Sequence, residues 1–183
     1  MKSFKILLVT AIIMLVSNNV SAQAWGIRAG ANFSDINGNG IENTSVKTGL
    51  YVGVYKEIPL VKSLLFIQPE IQYSQEGFET DNFEDTKIDY LTVPILAKIY
   101  AVKLLSFETG PQFGFVVSDN VDYTDVNTFV PSWAFGASLN LPLGLSINAR
   151  YISALNDTFD SNDLVGNISG KNQVFQVGAA FQF

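Results

Sequence analysis

Leu65, Ile67, Pro69, Ile71 and Tyr73 alternate without a break with Phe66, Gln68, Glu70, Gln72 and Ser74. A period of two is the signature of a strand with unlike faces, because successive side chains leave a strand in opposite directions. The pattern recurs as Trp25, Ile27, Ala29, Ala31, Phe33 against Gly26, Arg28, Gly30, Asn32. It closes the chain as Phe175, Val177, Ala179, Phe181, Phe183 against Gln176, Gly178, Ala180, Gln182. Eight such segments lie near residues 25–34, 47–58, 64–76, 88–100, 104–118, 130–141, 145–155 and 172–183. Strands of globular proteins usually run ~5–6 residues, whereas a tilted strand crossing a bilayer needs ~9–11. Segments this long favour a membrane barrel.

The connections alternate as well. Short turns follow the even strands at Pro59–Ser63, Ala101–Lys103 and Pro142–Gly144, and long polar loops follow the odd ones at 35–46, 77–87, 119–129 and 156–171. Short periplasmic turns, longer external loops and an even strand count characterise outer-membrane barrels, with both termini on the periplasmic side.

Polarity decides which face meets lipid. Leu50, Val52, Val54 in one strand and Leu91, Val93, Ile95, Ala97, Ile99 in another form uncharged outer faces, as do Trp133, Phe135, Ala137, Leu139 and Leu141. The opposite faces carry Arg28, Glu57, Glu70, Lys98, Glu108 and Arg150 among Gly, Ser, Asn and Gln. A membrane barrel is apolar outside and polar inside. Eight strands leave just enough lumen for side chains, so Arg28, Glu70, Lys98, Glu108 and Arg150 are expected to pair with opposite charges. Glu70–Lys98 and Lys98–Glu108 join neighbouring strands. A polar plug is favoured over an ion or solute path. Trp25, Phe107 and Phe183 at one end and Phe33, Tyr73, Phe115, Trp133 and Phe175 at the other match interfacial aromatic girdles. Pro69, Pro94 and Pro111 fall inside strands, where a β-bulge near each is the expected accommodation.

The N-terminus is an address. Lys2 and Lys5 precede the apolar run Ile6 to Val16, and Ala22-Gln23-Ala24 ends the segment in small residues. This is a signal peptide over residues 1–24, cleaved after Ala22 or Ala24 and followed by one barrel domain over 25–183. The apolar run is too short for a spanning helix, which needs ~20 residues.

Composition narrows the chemistry. The chain holds 183 residues with no Cys and no His, and charged residues make up only 15%. Disulfides, thiolate metal sites and cysteine nucleophiles are excluded. The usual general base of outer-membrane hydrolases and acyltransferases is missing, so the expectation is a non-enzyme without a cofactor. A formal charge of −6 argues against nucleic acid. Twelve of the 17 acidic residues lie in the long loops, where solvation accounts for them. Asp119, Asp122, Asp125, Asp157, Asp160 and Asp163 are the weak candidates for calcium, lacking the spacing of an EF-hand loop.

With the strands placed, the chain resembles the small outer-membrane β-barrels common in Bacteroidetes, the PorT-like or "porin family" proteins. The marks are Gln68-Pro69-Glu70-x-x-Tyr73-Ser74-Gln75-x-Gly77, Tyr90-Leu91-x-Val93-Pro94-x-Leu96-x-Lys98, Gly110-Pro111-x-x-Gly114, Arg150-Tyr151 and the terminal Phe183. The resemblance implies outer-membrane lipid as surroundings and the barrel assembly machinery as a partner, engaged through Phe183. The expectation is an all-β, eight-stranded antiparallel up-and-down transmembrane barrel, structural or recognising a partner through its acidic loops. The alternatives are a narrow channel for ions or small solutes and an accessory to an envelope secretion or motility machine.

Overall fold

The computed structural model describes residues 24–39, 44–80, 83–119, 129–155, 159–161 and 168–183. The expected leader, residues 1–24, lies outside them but for Ala24, which opens the first strand. Eight strands build the molecule: β1 (Ala24–Asn39), β2 (Lys47–Val61), β3 (Leu65–Thr80), β4 (Phe83–Val102), β5 (Leu105–Asp119), β6 (Phe129–Asn140), β7 (Leu145–Ala154) and β8 (Ile168–Gln182). Each pairs antiparallel with the next, and β1 pairs with β8 from Gly26↔Gln182 to Asn39↔Ser169. That last ladder closes the barrel. Two short strands, Thr44–Ser45 on β3 and Phe159–Ser161 on β8, add to the rim.

Burial follows the alternation. In β7 the outward Leu145, Ile147 and Tyr151 are exposed while the inward Ser146, Asn148, Arg150 and Ile152 are buried. Leu50 is 64% exposed and Phe135 56%, yet Gln68 and Glu70 are 0% and 1% exposed. An outer surface this apolar is stable only against hydrocarbon. Two apolar clusters also occupy the lumen: Leu96, Ala134, Ile152 and Val174, and Ile88, Tyr90, Val130 and Ala154.

Two expectations are corrected. The stretch 77–87 is not a loop, because Gly77↔Lys87 and Phe78↔Thr86 continue the β3–β4 ladder and only residues 81–82 separate the strands. Beyond the apolar band neither face needs to be greasy, so the ladder persists where the hydrophobic alternation stops. Strand β1 likewise runs to Asn39 and β8 begins at Ile168.

The prolines are the second correction. No bulge accompanies Pro69, Pro94 or Pro111. The β3–β4 ladder skips from Pro69↔Ile95 to Gln72↔Thr92, and β4–β5 skips from Pro94↔Gln112 to Ala97↔Thr109, both in unchanged register. The missing donors are absorbed as gaps in the ladder. Gly110 borders the second gap, where a Cβ would lie 2.3 Å from the Ile95 carbonyl oxygen. Register shifts occur instead between Pro59 and Val61, Phe78 and Thr80, Asp89 and Tyr90, and Tyr100 and Val102.

Candidate functional site

Alternate strands supply the centre of the lumen: Arg28 from β1, Glu70 from β3, Glu108 from β5 and Arg150 from β7, each at most 3% exposed. Inward side chains of alternate strands share a layer in a closed barrel, so these four meet. Arg150 donates from Nη1 to Glu70 Oε2 at 3.0 Å, from Nη2 to Glu70 Oε1 at 2.9 Å, and from Nε to Glu108 Oε1 at 2.8 Å. Arg28 donates from Nη1 to Glu70 Oε1 at 3.1 Å and to Glu108 Oε1 at 3.5 Å. Gln72 adds a bond to Glu70 Oε2 at 2.8 Å. Two guanidiniums against two carboxylates leave no net charge, and the planar fork of Arg150 bridges both carboxylates with the close hydrogen bonds that buried pairs require. A glycine makes room for this: a Cβ on Gly136 would lie 2.8 Å from Glu108 Cγ.

Lys98 does not join Glu70 or Glu108, although it faces Glu108 across the β4–β5 ladder. It pairs instead with Glu57 Oε1 at 2.7 Å, and Tyr100 donates its hydroxyl to the same carboxylate at 3.0 Å. Glu108 already receives both guanidiniums, which leaves the ammonium to the carboxylate of β2 reaching over β3. The residues missed at the sequence level are therefore Glu57 as a partner, Gln68 and Gln72 as clamps, Tyr100, and Glu76. For Gln68, Gln72 and Glu76 the signal was the inward face of β3, where Gln68, Glu70, Gln72, Ser74 and Glu76 follow at intervals of two and are all buried.

The aromatics lie on the outer surface: Trp25, Phe33, Tyr73, Phe107, Trp133, Phe175 and Phe183 are exposed and Phe115 is half-buried. Phe33 faces Phe175, which faces Tyr151, and Phe115 faces Phe129 at 5.4 Å between rings. Trp25 accepts a hydrogen bond at its carbonyl from the Phe183 N–H, at 2.9 Å, so both ends of the described chain meet at the rim that carries the short turns. Asp119 ends β5 and Asp160 lies in the strand Phe159–Ser161. Their side chains, and all of Asp122, Asp125, Asp157 and Asp163, lie outside the described residues. Among the described residues no cluster of three or more acidic side chains could hold a metal.

A closed eight-stranded barrel with a greasy exterior and a charge-balanced, hydrogen-bonded network across the middle of its lumen is a membrane-spanning barrel of the outer-membrane class. Residues 17–160 match the family described as Outer membrane protein beta-barrel domain, and the chain belongs to that family. Among solved structures it is similar to Ail, the attachment invasion locus protein of Yersinia pestis, crystallised with the heparin analogue sucrose octasulfate. That match has 15% identity and a TM-score of 0.57, covering 88% of this chain and 99% of Ail. It is also similar to Neisserial surface protein A, at 12% identity and a TM-score of 0.57 over 87% of this chain and 97% of that one. The outer membrane protein OprG from Pseudomonas aeruginosa matches at 13% identity and a TM-score of 0.50, covering 88% and 96%. These likenesses show the fold. No curated protein matches the sequence significantly.

Proposed function

We propose that the protein is a non-conducting, non-enzymatic outer-membrane barrel that acts as an envelope component or recognises a partner through its long connections. The observation that carries this is the occluded lumen, in which Arg28, Glu70, Glu108 and Arg150 hold one another across the bore and Glu57 and Lys98 form a second pair. A path for solutes would need water where these side chains meet. The test is a planar bilayer recording of the refolded barrel. Insertion without defined single-channel steps is the expected result, and steady steps would replace the plug by a narrow channel.

In this reading the leader at residues 1–24 directs export, the termini and short turns face the periplasm, and the acidic connections face outward. The PorT-like resemblance leaves an accessory role in a secretion or motility machine as the partner-dependent form of the same proposal. Phe183, exposed at the closing rim, would then present itself to the assembly machinery. Phe183→Ser is expected to lower the amount of barrel assembled in cells several-fold while leaving refolding in detergent unchanged. Equal assembly of both proteins would remove Phe183 from that role.

A further inference from the structure

Toward the rim of the long connections the lumen contains a second polar chamber, whose own wall carries one carboxylate and no cation. Glu76 of β3 is 7% exposed. Its carboxylate accepts a hydrogen bond from the Ser74 hydroxyl at 2.8 Å and another from the Asn172 amide. Among the described residues no ion pair involves Glu76, and the buried cation Lys47 lines the adjoining cleft but not this chamber, whereas the central network balances two charges of each sign. Around it, β4, β5 and β8 contribute Thr92 Oγ1, Gln112 Oε1 and Asn172 Oδ1, oxygens that are fully buried and have no hydrogen-bond partner. All three residues line one cavity with Glu76, of about 10 Å³, which is room for a single water-sized particle. The rest of its wall combines Tyr90 and Val130 from one lumen cluster and Ile152 and Val174 from the other with Gly114 and Ser132. An ionised carboxylate in such surroundings requires compensation.

We propose that this chamber binds one small monovalent cation, held by the Glu76 carboxylate and the neutral oxygens of Thr92, Gln112 and Asn172. The charge count selects the class: the chamber's one carboxylate balances one positive charge, whereas a divalent ion would call for further carboxylates. The size selects an ion stripped of its water shell over an organic ammonium. An approach exists, because Glu76 also lines an adjoining cleft of about 200 Å³ shared with Lys47, Gln75 and Asp89. Glu76 thus separates the cleft from the chamber. The inference is independent of whether the long connections bind a partner.

The experiment follows thermal unfolding of the refolded full barrel in detergent, in NaCl or KCl against choline chloride at matched ionic strength. Choline is too large for the chamber. The expected result is a midpoint that rises with the logarithm of Na+ or K+ concentration but not with choline, as linkage to a native-state site demands. Glu76→Gln should abolish the difference. A wild-type midpoint equal in all three salts overturns the proposal, since a proton or a water then serves Glu76. A folded E76Q barrel that keeps the full salt response overturns it too, by placing the ion elsewhere. Should E76Q fail to fold, Gln112→Leu and Thr92→Val decide. A response displaced to higher Na+ or K+ concentration supports the site, and an undisplaced response refutes it.

Discussion

Arg150→Leu is expected to lower the stability of the folded barrel by about 3–5 kcal/mol, the cost of breaking a buried ion pair by removing one partner. Arg150 holds Glu70 and Glu108 through Nε, Nη1 and Nη2, and only Arg28 would remain to face two carboxylates. The measurement is equilibrium unfolding of the refolded protein in guanidinium chloride. A second substitution sharpens the reading. Glu108→Gln in the Arg150→Leu background removes the surplus negative charge, so the double variant should be more stable than the two single losses combined predict. A positive coupling of about 0.5–3 kcal/mol is the expected size for groups in one network. Strict additivity would show that the four side chains do not act as a unit.

The next largest effect is expected at the seam. Gly30 and Gly178 face each other across the β1–β8 ladder, and Tyr51 covers both from β2 while donating its hydroxyl to Asn148 Oδ1 at 3.0 Å. A Cβ on Gly178 would lie 2.3 Å from both the Ala29 carbonyl oxygen and the Tyr51 hydroxyl, and 2.9 Å from Gly30 Cα. Tyr51 can move but the backbone of β1 can do so only by opening the ladder. Gly178→Ala should therefore cost at least the ~1–3 kcal/mol typical of overpacking, and the fraction of closed, heat-modifiable barrel on cold gel electrophoresis should drop. Gly114→Ala is the control, because its nearest atoms would be 3.3 and 3.4 Å away. Equal losses at the two positions would mean that the seam has slack.

The exterior was legible because lipid imposes a hydrophobic side chain at every second position, a rule each strand obeys independently of its neighbours. Leu91, Val93, Ile95, Ala97 and Ile99 could thus be assigned outward without knowing what lay beside them. The inward direction of Arg28, Glu70, Glu108 and Arg150 followed from the same rule. Who pairs with whom did not follow, since that depends on register. Register here carries shifts between Pro59 and Val61, Phe78 and Thr80, Asp89 and Tyr90, and Tyr100 and Val102, none of which shows in the local pattern. Lys98 shows a second cause: the register does set it opposite Glu108, but that carboxylate is taken by the two arginines and the ammonium goes to Glu57. The hairpin beyond Gly77 was invisible for the opposite reason, because outside the bilayer a ladder needs backbone bonds and no particular side chain.

The central four charges also bear on how the chain comes together. Arg28 meets Glu70 across 42 residues and Arg150 meets it across 80, and each comes from a strand that shares no ladder with any of the other three. In an uncurled sheet Arg150 and Glu70, and Arg28 and Glu108, stand four strands apart and cannot meet. The pairs across the bore form only when β1 finds β8. Partial hairpins thus gain little, and the chain has reason to enter the bilayer and to curl in a single cooperative event, with the long-range contact between its two ends as the slow step.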